Sequence, residues 1–150
     1  MLFRSGDAQV YSNAWVSDNA QVYGNARVYG DARVSGDARV YGGAQVYDNA
    51  RVCGGARVYG GAQVYGGARV YGDAQVCIKI ICATRTDGYV FVITPCADKI
   101  ARIIAGCRYF TIDEARKHWT DRNGSKQIRD ESIALVDHLE RMAKIQGWIK

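Results

Sequence analysis

The chain has 150 residues, 48% of them hydrophobic, and a net charge of +5. That is enough apolar material for a real core and suits one compact unit, or a repeat body with a small appended domain. No run of 18 apolar residues reads as a membrane span, and the charge is unevenly placed: seven arginines against six aspartates leave +1 in residues 1–76, hence +4 from Cys77 onward. So mild an excess is that of a solvated face, with nucleic acid or another anionic partner as the weaker reading.

The opening Met1–Asp7 lacks the apolar stretch of a secretory signal, so a cytoplasmic location is expected. From Asp7 to Val76 a six-residue period governs the chain. Alanine recurs from Ala8 to Ala74 and valine from Val10 to Val76, in twelve units without an insertion, each of the form Ala-x-Val-x-turn-turn. Ala and Val two apart face the same side of an extended strand, and the residues beside them face the other. The two turn positions hold only Gly, Asp, Asn and Ser, which tolerate positive φ. Each unit is therefore one short strand and one corner. An α-helix is excluded, because a glycine or poor helix former every six residues would destabilise it and the apolar period would drift around its surface.

A longer period lies within the shorter one. The residue after each valine, taken in steps of 18, forms three columns: Tyr11, Tyr29, Tyr47, Tyr65; Tyr23, Tyr41, Tyr59, Cys77; and Ser17, Ser35, Cys53, Tyr71. Small residues collect in the third column, which a period of six alone does not require. The outward residues between Ala and Val sort the same way. Trp15, Arg33, Arg51 and Arg69 share the small-residue face, while Gln9, Arg27, Gln45, Gln63 and Gln21, Arg39, Arg57, Gln75 share the tyrosine faces.

This motif, as in Val28-Tyr29-Gly30-Asp31-Ala32-Arg33, resembles the hexapeptide-repeat family. The resemblance implies a left-handed parallel β-helix with three hexads per triangular coil, so about four coils over residues 1–76 and a height of about 20 Å at one strand spacing per coil. It also implies a homo-oligomer, usually a trimer, although the residues are equally compatible with a dimer.

Beyond Val76 the hexad stops, and residues 77–150 read as a small α+β capping and oligomerisation domain. Three strands are expected, over Cys77–Cys82, Tyr89–Ile93 and Ile100–Ala105, with a turn at Thr86-Asp87-Gly88 and a break beginning at Pro95. The capping box Thr111-x-x-Glu114 announces a short helix striped by Ile112, Ala115 and Trp119. After the loop Asp121–Gly124 a longer helix runs from about Ser125 to Gln146, with the apolar stripe Ile128, Leu135, Val136, Leu139, Met142 and Ala143. Such a tail would cover the open end of the coil. Leu135, Val136, Leu139, Met142 and Trp148 are the candidates for packing on a second subunit. The segment Gly106–Trp119 resembles the tails of hexapeptide-repeat proteins encoded by bacteriophages and prophages.

The candidate binding residues lie on the coil walls. Three arginines stacked at strand spacing, Arg33, Arg51 and Arg69, repel one another by about 1 kcal/mol per pair in water. The aspartates at the corners (Asp31, Asp37, Asp48) or an anionic ligand such as a nucleotide could relieve them. The tyrosine column Tyr11, Tyr29, Tyr47 and Tyr65 reads as a cross-strand stack, or with Trp15 and the arginines as a protein-binding surface, since Tyr, Trp and Arg dominate interface hot spots.

No catalytic residue, cofactor or metal site is expected. The resemblance links hexapeptide β-helices to acyltransferases with a wall histidine and loop insertions, yet no histidine precedes His118 and no hexad is interrupted. A carbonic anhydrase of this architecture needs three metal-binding histidines, and the chain has two, His118 and His138, each read as a surface or interface residue. The five cysteines form no Cys-x-x-Cys pair and read as free thiols in a reducing compartment. Ice binding would need a threonine array, and residues 1–76 contain no threonine. The sequence thus favours a non-enzymatic binding or assembly protein of phage origin, with a protein partner that is a component of host defence. A minimal acyltransferase with an intersubunit site and an anion sponge are the alternatives.

Overall fold

At six-residue intervals from Gly6 to Gly72 the backbone takes a left-handed conformation, with φ between 56° and 73°. Nine of these twelve positions are glycine; the others are Ser12, Asp18 and Asp48. This is the corner that the repeat demands, and it turns the chain after every two or three extended residues. The computed structural model describes residues 3–95, 100–106, 108–122 and 124–150, with side chains from Ser5 onward.

Thirteen short strands build three parallel walls. The first wall stacks β1 (Phe3–Ser5), β4 (Gln21–Tyr23), β7 (Arg39–Val40), β10 (Arg57–Val58) and β13 (Gln75–Val76). The second stacks β2 (Gln9–Val10), β5 (Arg27–Val28), β8 (Gln45–Val46) and β11 (Gln63–Val64). The third stacks β3 (Trp15–Val16), β6 (Arg33–Val34), β9 (Arg51–Val52) and β12 (Arg69–Val70). Register is uniform, each residue pairing with the one 18 positions on, as in Arg33↔Arg51 and Val34↔Val52. Amides also reach the next coil at the strand ends: Gln9 N–H donates to the Ala26 carbonyl at 2.9 Å and Tyr29 N–H to the Val46 carbonyl at 3.0 Å. The parallel β-helix of about four coils expected from the repeat is the fold. Within the solenoid the unforeseen strand is β1, which pairs with β4 in the common register although its hexad lacks the Ala-x-Val signature.

Inside the prism the Ala and Val ladders from Ala20 to Val76 are fully buried. Alanine fits beside the corner, where a larger side chain would collide with its copies one spacing away, and valine fills the centre. In the first coil Val10, Ala14 and Val16 stay only partly covered.

The corners carry their own axial bonds. Asn13 Nδ2 donates to Asp31 at 3.2 Å and Asn19 Nδ2 to Asp37 at 3.2 Å. Where an aspartate occupies the left-handed position, its carboxylate accepts from the glycine amide of the next coil: Gly36 N–H to Asp18 at 3.1 Å and Gly66 N–H to Asp48 at 3.3 Å. That bond offsets the strain of a side chain at positive φ. Asp31, Asp37 and Asp48 thus bond along the corners and form no direct ion pair with Arg33, Arg51 or Arg69 among the described residues.

The C-terminal unit is a four-stranded antiparallel sheet of β14 (Ile81–Thr84), β15 (Val90–Pro95), β16 (Ala101–Ala105) and β17 (Arg108–Thr111), followed by α1 (Ile112–Asp121) and α2 (Lys126–Ile145). The strand expected over Cys77–Cys82 starts only at Ile81. Residues 77–80 form no strand, and Ile80 is buried in the solenoid's core cluster. The second and third strands fall within two residues of expectation. β17 was not foreseen, since Arg-Tyr-Phe-Thr sits directly against the helix signal. The break expected to begin at Pro95 does not include it, since Pro95 pairs with Ala101 as the last residue of β15; Cys96, Cys107 and Asn123 lie outside the described residues.

Pairing fixes what each side of this sheet touches. Val92 pairs with Ile104 and Ile104 with Tyr109, and these three belong to the solenoid core cluster or pack on it. Their strand neighbours Phe91, Ile93, Ile103 and Ala105 belong instead to the helix-side core, with Ala115, Trp119, Val136, Leu139 and Ala143. The sheet is thus a septum buried on both faces, which explains the unbroken apolar run Val90–Ile93. The sheet caps the solenoid, and the helices lie beyond it. Val136 and Leu139 are fully buried there, and Leu135 and Trp148 pack against the same cluster. The stripe proposed for a second subunit is therefore largely consumed within the chain.

Both helix starts match the sequence signals. Thr111 and Glu114 form the capping box, and Ser125 caps α2. A buried arginine ties the β14–β15 turn to α2: Arg85 donates to Asp87 at 2.6 and 2.9 Å and to Ser132 at 2.8 Å, and lies over the rings of Tyr89 and Trp119.

Two predictions follow from this packing. A Cβ on Gly54 would sit 3.0 Å from the Gly72 amide nitrogen. Gly54→Val is expected to cost about 1–3 kcal/mol in chemical denaturation. Gly54→Asp should cost clearly less, because it can accept the Gly72 N–H as Asp18 and Asp48 do for their successors. The Arg85 guanidinium holds the Asp87 carboxyl at about 2 against an ordinary 3.8. A depressed carboxylate stabilises above its unfolded value, so stability should fall as pH drops from 3.8 to about 2. Acid unfolding followed by Trp fluorescence measures this, and Asp87→Asn should flatten it.

Candidate functional site: the solenoid walls and a basic pocket

The walls differ in what covers them. On the second wall Tyr11, Tyr29, Tyr47 and Tyr65 form one continuous stack, with ring centroids 5.0–5.5 Å apart and planes within 19° of parallel. The Tyr29 hydroxyl reaches Gln45 at 3.4 Å, so the rings lie beside the glutamine column of that wall. Tyr23, Tyr41 and Tyr59 stack likewise on the first wall at 4.9–5.3 Å. Stacking uses the ring faces and leaves edges and hydroxyls outward. Only Tyr11, at the N-terminal end, is strongly exposed, at 44%. Burial, then the neighbouring rings, pushes the Tyr29 and Tyr47 phenols above their ordinary 10.0.

The third wall has Ser17, Ser35 and Cys53 where the others have tyrosine, and it carries the longest file of arginines. Trp15 is 64% exposed and pairs in register with Arg33, followed by Arg51 and Arg69, all exposed. Among the described residues no carboxylate pairs with these three arginines. The corners beside them nonetheless carry Asp31 and Asp48 on one side and Asp18, Asp37 and Asp73 on the other. The predicted set therefore divides: the arginine file with Trp15 occupies one wall, and the tyrosine stack lies around the corner on the next.

A second surface lies in the C-terminal domain. Arg108 at the start of β17, with Glu114, Lys117, His118 and Asp121 of α1 and Arg122 just after it, lines an open depression of about 600 Å³. Phe110 packs on the His118 ring at 5.1 Å and Trp119 meets it edge-on at 4.9 Å. Burial, then Arg108 and Arg122, depresses the His118 pKa below 6.5. His138 is exposed on α2. The residues of α1 repeat at helical spacing and were legible in the sequence; Arg108 was not placed beside them because β17 was missed.

Wall geometry and repeat together define a β-solenoid repeat protein. In particular, the repeat is similar to the YdcK beta solenoid repeat, whose family model matches residues 20–34, 32–45, 44–60 and 62–77. All four matches lie in the solenoid and leave the C-terminal domain outside. Neither the curated proteins nor the solved structures contain a match.

The tyrosine stacks generate an alkaline prediction. A phenol whose pKa is raised on folding contributes stability that is fully present below 10.0 and is lost as pH rises through the folded value. Unfolding midpoints should therefore fall above pH 10, and the double variant Tyr29→Phe/Tyr47→Phe should weaken that dependence, as read by denaturation across pH 9 to 12.

Proposed function

We propose that this chain is a non-catalytic binding scaffold whose third wall takes an acidic protein partner. The observation that carries the reading is the file of Trp15, Arg33, Arg51 and Arg69, exposed and without carboxylate partners among the described residues. Trp and Arg dominate interface hot spots, and stacking on a rigid solenoid removes the ordering cost of presenting them. The five corner aspartates that flank the three arginines favour a partner whose carboxylates are spaced to meet the arginines and clear the aspartates over a densely charged polyphosphate. Twelve uninterrupted hexads and walls without histidine support a scaffold over an acyltransferase. On the resemblance of the tail, we take the chain to be phage-derived and its partner to be a host-defence protein. Self-association as a dimer or trimer belongs to the same proposal, with the tyrosine walls as the remaining flat surfaces.

The test is capture from bacterial lysate by the wild type and by two variants, Arg33→Gln/Arg51→Gln/Arg69→Gln and Trp15→Ser, with the bound proteins identified by mass. The triple variant should lose the acidic partner at least about tenfold, and the wild-type complex should weaken with salt. Equal capture by all three proteins would sink the reading. Heat on titration with acetyl-CoA would favour the acyltransferase instead, and the mass of the free protein in solution reports its self-association.

A further inference from the structure

We propose that the depression between β17 and α1 is a binding site for a small phosphate-bearing anion, held by Arg108, Lys117 and Arg122 beside His118. Three cations from two elements converge on one concavity, and among the described residues none of them has a carboxylate partner. Of the two acids on the same wall, Glu114 is held in the capping box, accepting from the Thr111 amide at 2.8 Å. Asp121 is the other charge that opposes an anion there. Burial first, and then Arg108 and Arg122, hold the His118 pKa below its ordinary 6.5.

The His118 ring is fixed between Phe110 and Trp119, and its Nε2 is buried without a hydrogen-bond partner. Arg122 is steadied over the Trp119 ring, 5.0 Å from its centroid. Arg122 and the His118 ring beside it are thus held by aromatic packing before any ligand arrives, which lowers the ordering cost of binding. The volume of about 600 Å³ falls within the ~300–1,000 Å³ that organic ligands occupy, so there is room for more than a bare phosphate. The site is independent of the arginine file on the solenoid.

An anion among these cations offsets the repulsion that Arg108 and Arg122 add to burial at His118, so binding should raise its pKa and tighten as pH falls. The experiment follows the His118 and His138 imidazole resonances of the full chain across pH, in inorganic phosphate and in chloride at equal ionic strength. The His118 pKa should rise by roughly one unit in phosphate while that of His138 stays put. Lys117→Gln and Arg122→Gln, both at exposed positions, should weaken phosphate at least about tenfold, and Arg33→Gln/Arg51→Gln/Arg69→Gln should not. A nucleoside monophosphate in the same titration separates the sources: tighter binding than phosphate identifies an organic phosphate, and equal binding identifies the free ion. An unmoved His118, or a phosphate response that survives Arg108→Gln/Arg122→Gln in a variant that melts like the wild type, would overturn the proposal.

Discussion

Each coil must sit on the last at one strand spacing, and this single constraint decides which residues every hexad can use. At about 4.8 Å between copies, a corner that turns through positive φ has no space for bulk. Glycine satisfies it by having no side chain. Asp18 and Asp48 satisfy it by turning theirs into an acceptor for the glycine amide above. The same spacing makes identical neighbours unavoidable. Valine on valine gives a dry core, and tyrosine on tyrosine gives a near-parallel stack at about the spacing of the coils. Arginine on arginine gives a column of like charge. The first two favour folding and the third opposes it, at Arg33, Arg51 and Arg69 on the third wall and at Arg39 and Arg57 on the first.

The septum joins two bodies with different packing rules. On one side Val92, Ile104 and Tyr109 meet the last coil; on the other Phe91, Ile93 and Ile103 meet the helices. A sheet buried on both faces cannot alternate polar and apolar residues, and this one does not. It covers the end of the prism without spending the amphipathic stripe of α2 on it, so that stripe closes a second core around Trp119. The basic pocket lies on this outer side, remote in the chain from the arginine file, and the two surfaces depend on different parts of the sequence.

How much could be read beforehand follows from the same physics. Period, coil length and the sorting of residues to walls were legible, because a repeat states its geometry twelve times over. Caps were legible at Thr111, Glu114 and Ser125, where a side chain bonds a backbone amide a few residues away. Two strands were missed for opposite reasons. β1 has the register of the repeat without its residues, and β17 is a short strand whose partner, not its composition, makes it extended. The fate of the corner aspartates was also hidden, since bonding along the corner depends on a neighbour 18 positions away. For the candidate sites, the arginine file came from the period, whereas the pocket required knowing that β17 brings Arg108 to α1.

The partly covered Val10, Ala14 and Val16 of the first coil have a consequence for how the molecule comes apart. Each coil is held only by the one before and the one after, so loss of structure spreads as a linear process with a preferred starting point. At the far end the septum clamps the last coil to a second core, while among the described residues the first coil has a stacked neighbour on one side only. Amide exchange should therefore form a gradient along the axis, slowest beside the sheet and quickest at the first coil. Trp15 and Tyr11 would peel away while Arg51 and Arg69 remain in place, making the exposed aromatic end the part of the wall most readily reshaped.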